Sequence, residues 1–137
     1  MTSIRKITNG ILFLVALSIA AVSCKKDKHV PPTVTFKTGT GYTATDISIA
    51  RNTIIKVGII ADKVEDDMLT YNVSYAYDGA ATTITSQTFT LAGAEQQHCD
   101  KDVTFTLRNQ AGSEKWTFTI TDKDGNITQK QITFSVL

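Results

Sequence analysis

The feature that most constrains this chain is an alternation of period two that recurs along most of its length. In MLTYNVSYAY, residues 68–77, Leu69, Tyr71, Val73, Tyr75 and Tyr77 fall on one face and Thr70, Asn72, Ser74 and Ala76 on the other. Successive side chains of an extended chain point to opposite sides, so this pattern predicts a strand with one face toward a core. DVTFTLRN repeats it through Val103, Phe105 and Leu107, and EKWTFTITD through Trp116, Phe118 and Ile120. PTVTFKT adds a short strand with Val34 and Phe36 inward, while TIIKVGIIA is apolar on both faces, as a central strand is. In ATTITSQTFTL and NITQKQITFSV the alternation slips by one, near Ser86 and near Gln129. A β-bulge in each explains the slips; two short strands merged into one reading explain them equally.

Turn residues fall between these runs. Asp78-Gly79 and Gly125-Asn126 tolerate positive φ, and each predicts a hairpin. No stretch from residue 33 onward has a helical period. Strands are expected at 33–38, 53–61, 68–77, 81–91, 102–109, 114–122 and 126–136, seven in about a hundred residues. That spacing predicts one all-β domain over 33–137, a β-sandwich of about seven antiparallel strands. Residues 112–136, GSEKWTFTITDKDGNITQKQITFSV, resemble the closing strand pair of immunoglobulin-like lipoprotein domains from Bacteroidetes. The antibody pattern of two bridged cysteines around a tryptophan is absent, so the likeness is to the wider group of immunoglobulin-like and fibronectin-III-like modules. Members of that group bind, space or present, and the fold alone does not fix which.

The start of the chain has a different composition. Arg5 and Lys6 precede an apolar run from Ile11 to Val22, which ends in the small residues Ala20, Ala21 and Ser23. This is the layout of a secretory signal peptide over 1–23. A run of 12 residues is well short of the roughly 20 that a membrane-spanning helix needs. Ala21-Val22-Ser23-Cys24 resembles a bacterial lipobox, although alanine stands where leucine is the usual family choice. The resemblance implies that the Cys24 thiol carries diacylglycerol and that the chain is cut just before it. Further acylation, palmitate for example, would make a durable lipid anchor, since each buried CH₂ is worth roughly 0.8 kcal/mol. The expected address is the outer membrane, on its periplasmic side or at the cell surface. Cleavage elsewhere would leave Cys24 an ordinary thiol. Residues 24–32 then form a tether, in which Lys25, Lys26, Asp27 and Lys28 precede Pro31-Pro32. Those charges resemble the export tag of Bacteroidetes surface lipoproteins; a plain solvated spacer accounts for them as well.

Charge and motif content narrow the function. From Cys24 onward the chain has 12 basic and 13 acidic residues, a net charge of −1, which argues against nucleic acid, whose capture needs a clear excess of clustered Lys and Arg. With Cys24 lipidated, Cys99 is alone in the domain and no internal disulfide can form. His98 and Cys99 are neighbours on an extended segment and so face opposite ways, a poor arrangement for a thiol–base pair or a shared metal. No nucleophile elbow, HExxH or P-loop occurs, and the chain is expected not to be an enzyme and to need no cofactor. Ordering the strands as a sandwich gathers Asp62, Glu65, Asp66, Asp67, Glu95, Asp100, Asp102, Asp122 and Asp124 in loops at one pole. Carboxylates at such density raise the question of a calcium site on Asp62, Asp66, Asp67, Asp122 and Asp124. Solvated turns are the favoured reading, because the Asp-x-Asp-Gly-Asn stretch lacks the downstream glutamate of a calcium loop. The sequence thus leads to a lipid-anchored, non-catalytic binding or presentation module with a protein partner. Carbohydrate recognition through Tyr42, Tyr75, Tyr77 and Trp116, three of them on core-facing stripes, and a plain structural spacer are the alternatives.

Overall fold

The computed structural model describes residues 29–137, so the signal segment and Cys24 lie outside the described residues. The strands are β1 (Thr33–Phe36), β2 (Ile47–Ile49), β3 (Ile54–Asp62), β4 (Met68–Tyr77), β5 (Ile84–Thr90), β6 (His98–Thr106), β7 (Gly112–Asp122) and β8 (Ile127–Val136), with one 3₁₀ turn at Gly93–Gln96. They form two sheets, β1-β3-β6 and β2-β8-β7-β4-β5, packed as an immunoglobulin-like sandwich. As its two apolar faces predict, β3 is central, between β1 and β6.

The structure corrects the sequence reading in several places. Among the described residues there are eight strands rather than seven, and they are not all antiparallel, because β2 runs parallel to β8. Ile47-Ser48-Ile49 is too short to show a period. It is held by neighbours remote in sequence: the Thr133 N–H donates to Asp46 Oδ1 at 2.8 Å and the Leu137 N–H to Ile49 O at 3.0 Å. The first strand stops at Phe36, and the chain then crosses from one sheet to the other. β6 begins at His98, earlier than expected, which moves Asp100 and Asp102 out of the polar loops and onto a strand.

Of the two expected bulges, one is present. Val73 faces Gln87 and Ser74 faces Thr85, so Ser86 is the extra residue of β5. Around Gln129 the β7–β8 register is unbroken from Gly112↔Val136 to Thr121↔Ile127. The apparent slip there arises because Ile127 lies exposed at the strand start. A second irregularity, at Met68/Thr70, puts Met68 opposite Asp122 in the core and leaves Leu69 40% exposed, not inward as the alternation suggests.

The core fills the space between the sheets. Val57, Ile59, Val103 and Phe105 from the small sheet meet Tyr71, Val73, Trp116, Phe118, Ile132 and Phe134 from the large one. Each such side chain contributes about 1.5–3 kcal/mol when fully buried. Trp116 ties the layers together, stacked on Phe105 across the sandwich with ring centroids 3.5 Å apart and in tilted contact with Tyr75 beside it at 4.9 Å. Beneath it the buried Glu114 carboxyl group accepts the Trp116 Nε1–H at 3.1 Å and the Arg108 backbone N–H at 2.8 Å, so this polar group inside the sandwich has partners. Gly112, at φ 142°, has no room for a Cβ because the Arg108 guanidinium and the Asp78 carboxylate close over it.

Candidate interaction surface

The acidic pole is a set of lysine contacts and turn bonds. Asp67 accepts Lys63 Nζ at 2.8 Å and Lys123 Nζ at 2.5 Å, with the Gln97 amide beside them. Lys123, then Lys63, holds this carboxyl well below the usual carboxylate range. Asp122 is buried and caps its own hairpin, accepting the backbone N–H of Asp124 at 3.0 Å and of Asn126 at 2.8 Å. Asp62 lies 2.6 Å from His98 Nδ1. Asp124 is in the β7–β8 turn and Asp66 in the β3–β4 loop, where it too has an interaction partner. The proposed calcium ligands share a pole without converging, and among the described residues no group of three metal-ligating side chains is placed to hold an ion. Cys99 lies buried against the core, its thiol pushed up by desolvation, while His98 is exposed on the opposite face.

The outer face of the small sheet carries a second charged cluster, centred on Asp102. This residue pairs with Lys37 Nζ at 2.8 Å and Lys56 Nζ at 2.7 Å and accepts the Tyr42 hydroxyl at 2.9 Å. Lys37 also reaches Asp100. The cluster sits over Gly58, where a Cβ would come within 2.7 Å of Asp102 Oδ1 and 2.8 Å of Tyr42 Cε1. Lys37 and then Lys56 hold the Asp102 carboxyl far below its ordinary value, and Asp100 followed by Asp102 raises Lys37. The sequence reading missed this cluster, since Lys37, Tyr42 and Asp102 converge only when β3 pairs with β6.

The four aromatic residues considered as sugar platforms are taken up by the fold. Trp116 is 3% exposed and sandwiched as described, with Tyr75 against it. The Arg108 guanidinium lies 4.5 Å above the Tyr77 ring, and burial, followed by the Tyr75 hydrogen bond, pushes the Tyr77 phenol up to about 12. Lys56 covers the Tyr42 ring at 4.6 Å.

The outer face of the large sheet is chemically different. Cross-strand rows run Thr88–Asn72–Thr119–Gln129 and Thr85–Ser74–Thr117–Gln131. Within the first, Asn72 Nδ2 donates to the Thr88 hydroxyl at 2.8 Å and Gln129 Nε2 to the Thr119 hydroxyl at 3.1 Å. Neither row contains a charge. Ser74 and Thr117 in the middle of the second row are buried, and the next row, Ala76–Lys115–Thr133, carries the exposed Lys115. The accessible hydroxyls and amides, on Thr85, Thr88, Asn72, Thr119, Gln129 and Gln131, are each both donor and acceptor and can be covered without desolvating an ion. It ends at β5, whose far side has no strand beside it. The Leu91 N–H donates to Leu69 O at 2.9 Å directly opposite; by the antiparallel alternation, the backbone groups of Thr88 and Thr90 then point away from β4.

No family model matches the sequence, and no curated protein matches it. Among solved structures the chain is similar to murine CRIg, at 12% identity and a TM-score of 0.40, over 79% of this chain and 99% of that one. No helix among the described residues is long and apolar enough to cross a membrane.

Proposed function

We propose that this protein is a lipid-anchored module of the bacterial cell envelope, of the Bacteroidetes lipoprotein type, that engages a protein partner through its five-stranded sheet and catalyses nothing. The observation that carries the partner assignment is the free edge of β5, flanked by the uncharged hydroxyls and amides of Thr85, Thr88, Asn72, Thr119 and Gln129. An extended segment of a partner gains main-chain hydrogen bonds at such an edge, and side chains over the face add selectivity. Against the carbohydrate alternative stands the use of Tyr42, Tyr75, Tyr77 and Trp116 within the fold.

The anchor is inferred from the lipobox resemblance at Cys24. The described residues begin at the lysine-neutralised pole, where the Val30 N–H donates to Glu65 Oε2 at 3.3 Å and the Thr128 hydroxyl to Pro32 O. From Cys24 to Val30 is six residue steps, a reach of at most about 20 Å, so a lipidated Cys24 would hold the domain close to the bilayer by that end. Cys24→Ala tests the anchor: the chain is expected to leave the membrane fraction or accumulate as precursor. Membrane retention of a cleaved Cys24→Ala chain would refute it.

A further inference from the structure

The sandwich has four strand edges, and three of them are guarded. β1 has four residues and follows Pro31-Pro32; β2 has three, and the part of β8 that it leaves uncovered, residues 127–133, carries Lys130 and is bonded to Pro32 and Asp46 at Thr128 and Thr133. β6 carries His98, Asp100, Lys101 and Asp102 along its length. Short length, proline and charge are the devices that keep an edge from pairing with another chain. β5, Ile-Thr-Ser-Gln-Thr-Phe-Thr, has no charge, no proline and no glycine. The bulge at Ser86 disrupts only its first part, so Gln87 to Thr90 remains a regular, unpaired edge whose Thr88 and Thr90 backbone groups face outward.

We infer that the occupant of this edge is a second copy of the same chain, paired antiparallel about Phe89. The inference rests on the large sheet being the engaged surface and names its partner. In an antiparallel ladder, outward-facing residues must meet outward-facing residues. A two-fold axis at Phe89 does this, setting Thr88 opposite Thr90 of the other copy, Thr90 opposite its Thr88, and the two Phe89 rings side by side in the non-hydrogen-bonded position. Four new main-chain hydrogen bonds form. The pairs produced, threonine with threonine and aromatic with aromatic, are those that stabilise a sheet, and no like charges are brought together along the strand. Phe89 is oriented for this by its stack on Tyr71, centroids 5.4 Å apart. The nearby Lys101, 5.5 Å from the Phe89 ring, has its charge matched by Glu95 at 2.5 Å. Two five-stranded sheets become one of ten strands.

The test places p-benzoylphenylalanine at position 89 of the full chain, expressed in membranes and irradiated there. The expected product has twice the mass of the chain and contains only its peptides. Thr88→Pro, which removes an N–H that β4 does not use, should reduce that product at least tenfold. Thr88→Lys, which restores an ordinary edge guard, should do the same if the proline variant fails to fold. A product containing a different protein would overturn the second-copy assignment and leave partner binding by this sheet standing. Absence of any product from position 89, or a doubled-mass product undiminished in a variant that melts normally, would overturn the β5 pairing itself. The cross-link reads the pairing independently of lipid on Cys24, which fractionation reports separately.

Discussion

The two sheets turn opposite kinds of surface outward. On the small sheet, Lys37, Lys56, Tyr42 and Asp102 bind one another, so an incoming molecule would have to displace partners already in place and desolvate ions. On the large sheet the hydroxyls and amides of the two cross-strand rows are uncharged, and the edge at β5 leaves backbone donors and acceptors open. Charge is therefore a poor guide to the side proposed to interact. Most ionic groups of the described residues are spent on holding the chain to itself, and the hydroxyl and amide rows beside β5 are the surface whose covering costs least.

Four changes should break or sharpen that contrast. The largest effect is expected from Trp116→Ala, which removes the ring joining the two sheets: about 3–5 kcal/mol of stability in chemical denaturation, since buried aromatic truncations cost that much. A loss below about 1 kcal/mol would mean that Phe105 and Tyr75 close over the gap. Tyr71→Phe should act in the other direction. The Tyr71 hydroxyl is buried and has no hydrogen-bond partner among the described residues, and its removal should raise stability by about 1 kcal/mol; a destabilised variant would reveal a partner for that hydroxyl.

The charged face should give way first in acid. Asp102 and Asp67 have folded-state values depressed by their lysines. Their contribution is present above the unfolded carboxylate value of about 4 and is lost as pH falls toward the depressed folded value. Melting midpoints measured downward from pH 5 should therefore fall more steeply for the native chain than for Asp102→Asn, and salt should shrink the difference. Parallel curves would show that the Asp102 cluster contributes nothing to stability. The smallest effect concerns calcium. With Asp122 capping its turn and Asp67 held by two lysines, millimolar calcium should leave the midpoint where EDTA leaves it; a calcium-specific rise abolished by Asp122→Ala would make the pole a metal site.

Strands with strict alternation were readable because one face of each is buried: Val103 and Phe105 on β6, and Trp116, Phe118 and Ile120 on β7, all lie in the core. The Ser86 bulge was readable for the same reason, as a break in period. β2 was not, because its three residues owe their place to β8 and to Asp46 rather than to any local pattern. Leu69 misled because a bulge next to it hands its inward position to Met68. The lysine pairing of Asp67 joins residues as far apart as 67 and 123, and the Asp102 cluster joins residues 37, 42, 56 and 102. Sequence displays the acids, and only the fold brings their counterions to them. The hydroxyl and amide rows beside β5 correspond to a threonine- and glutamine-rich alternation in the sequence, but only the topology says which edge is left unpaired.

The most direct test of the large sheet as the interacting side is a matched pair of photoreactive probes on the full chain in its native membrane. One replaces Thr90 on β5, at the free edge of the large sheet, and the other Thr104 on the outer face of the small sheet, both exposed positions. Adducts from position 90 with none from position 104 are the result expected. Adducts from position 104, with position 90 silent, would contradict it.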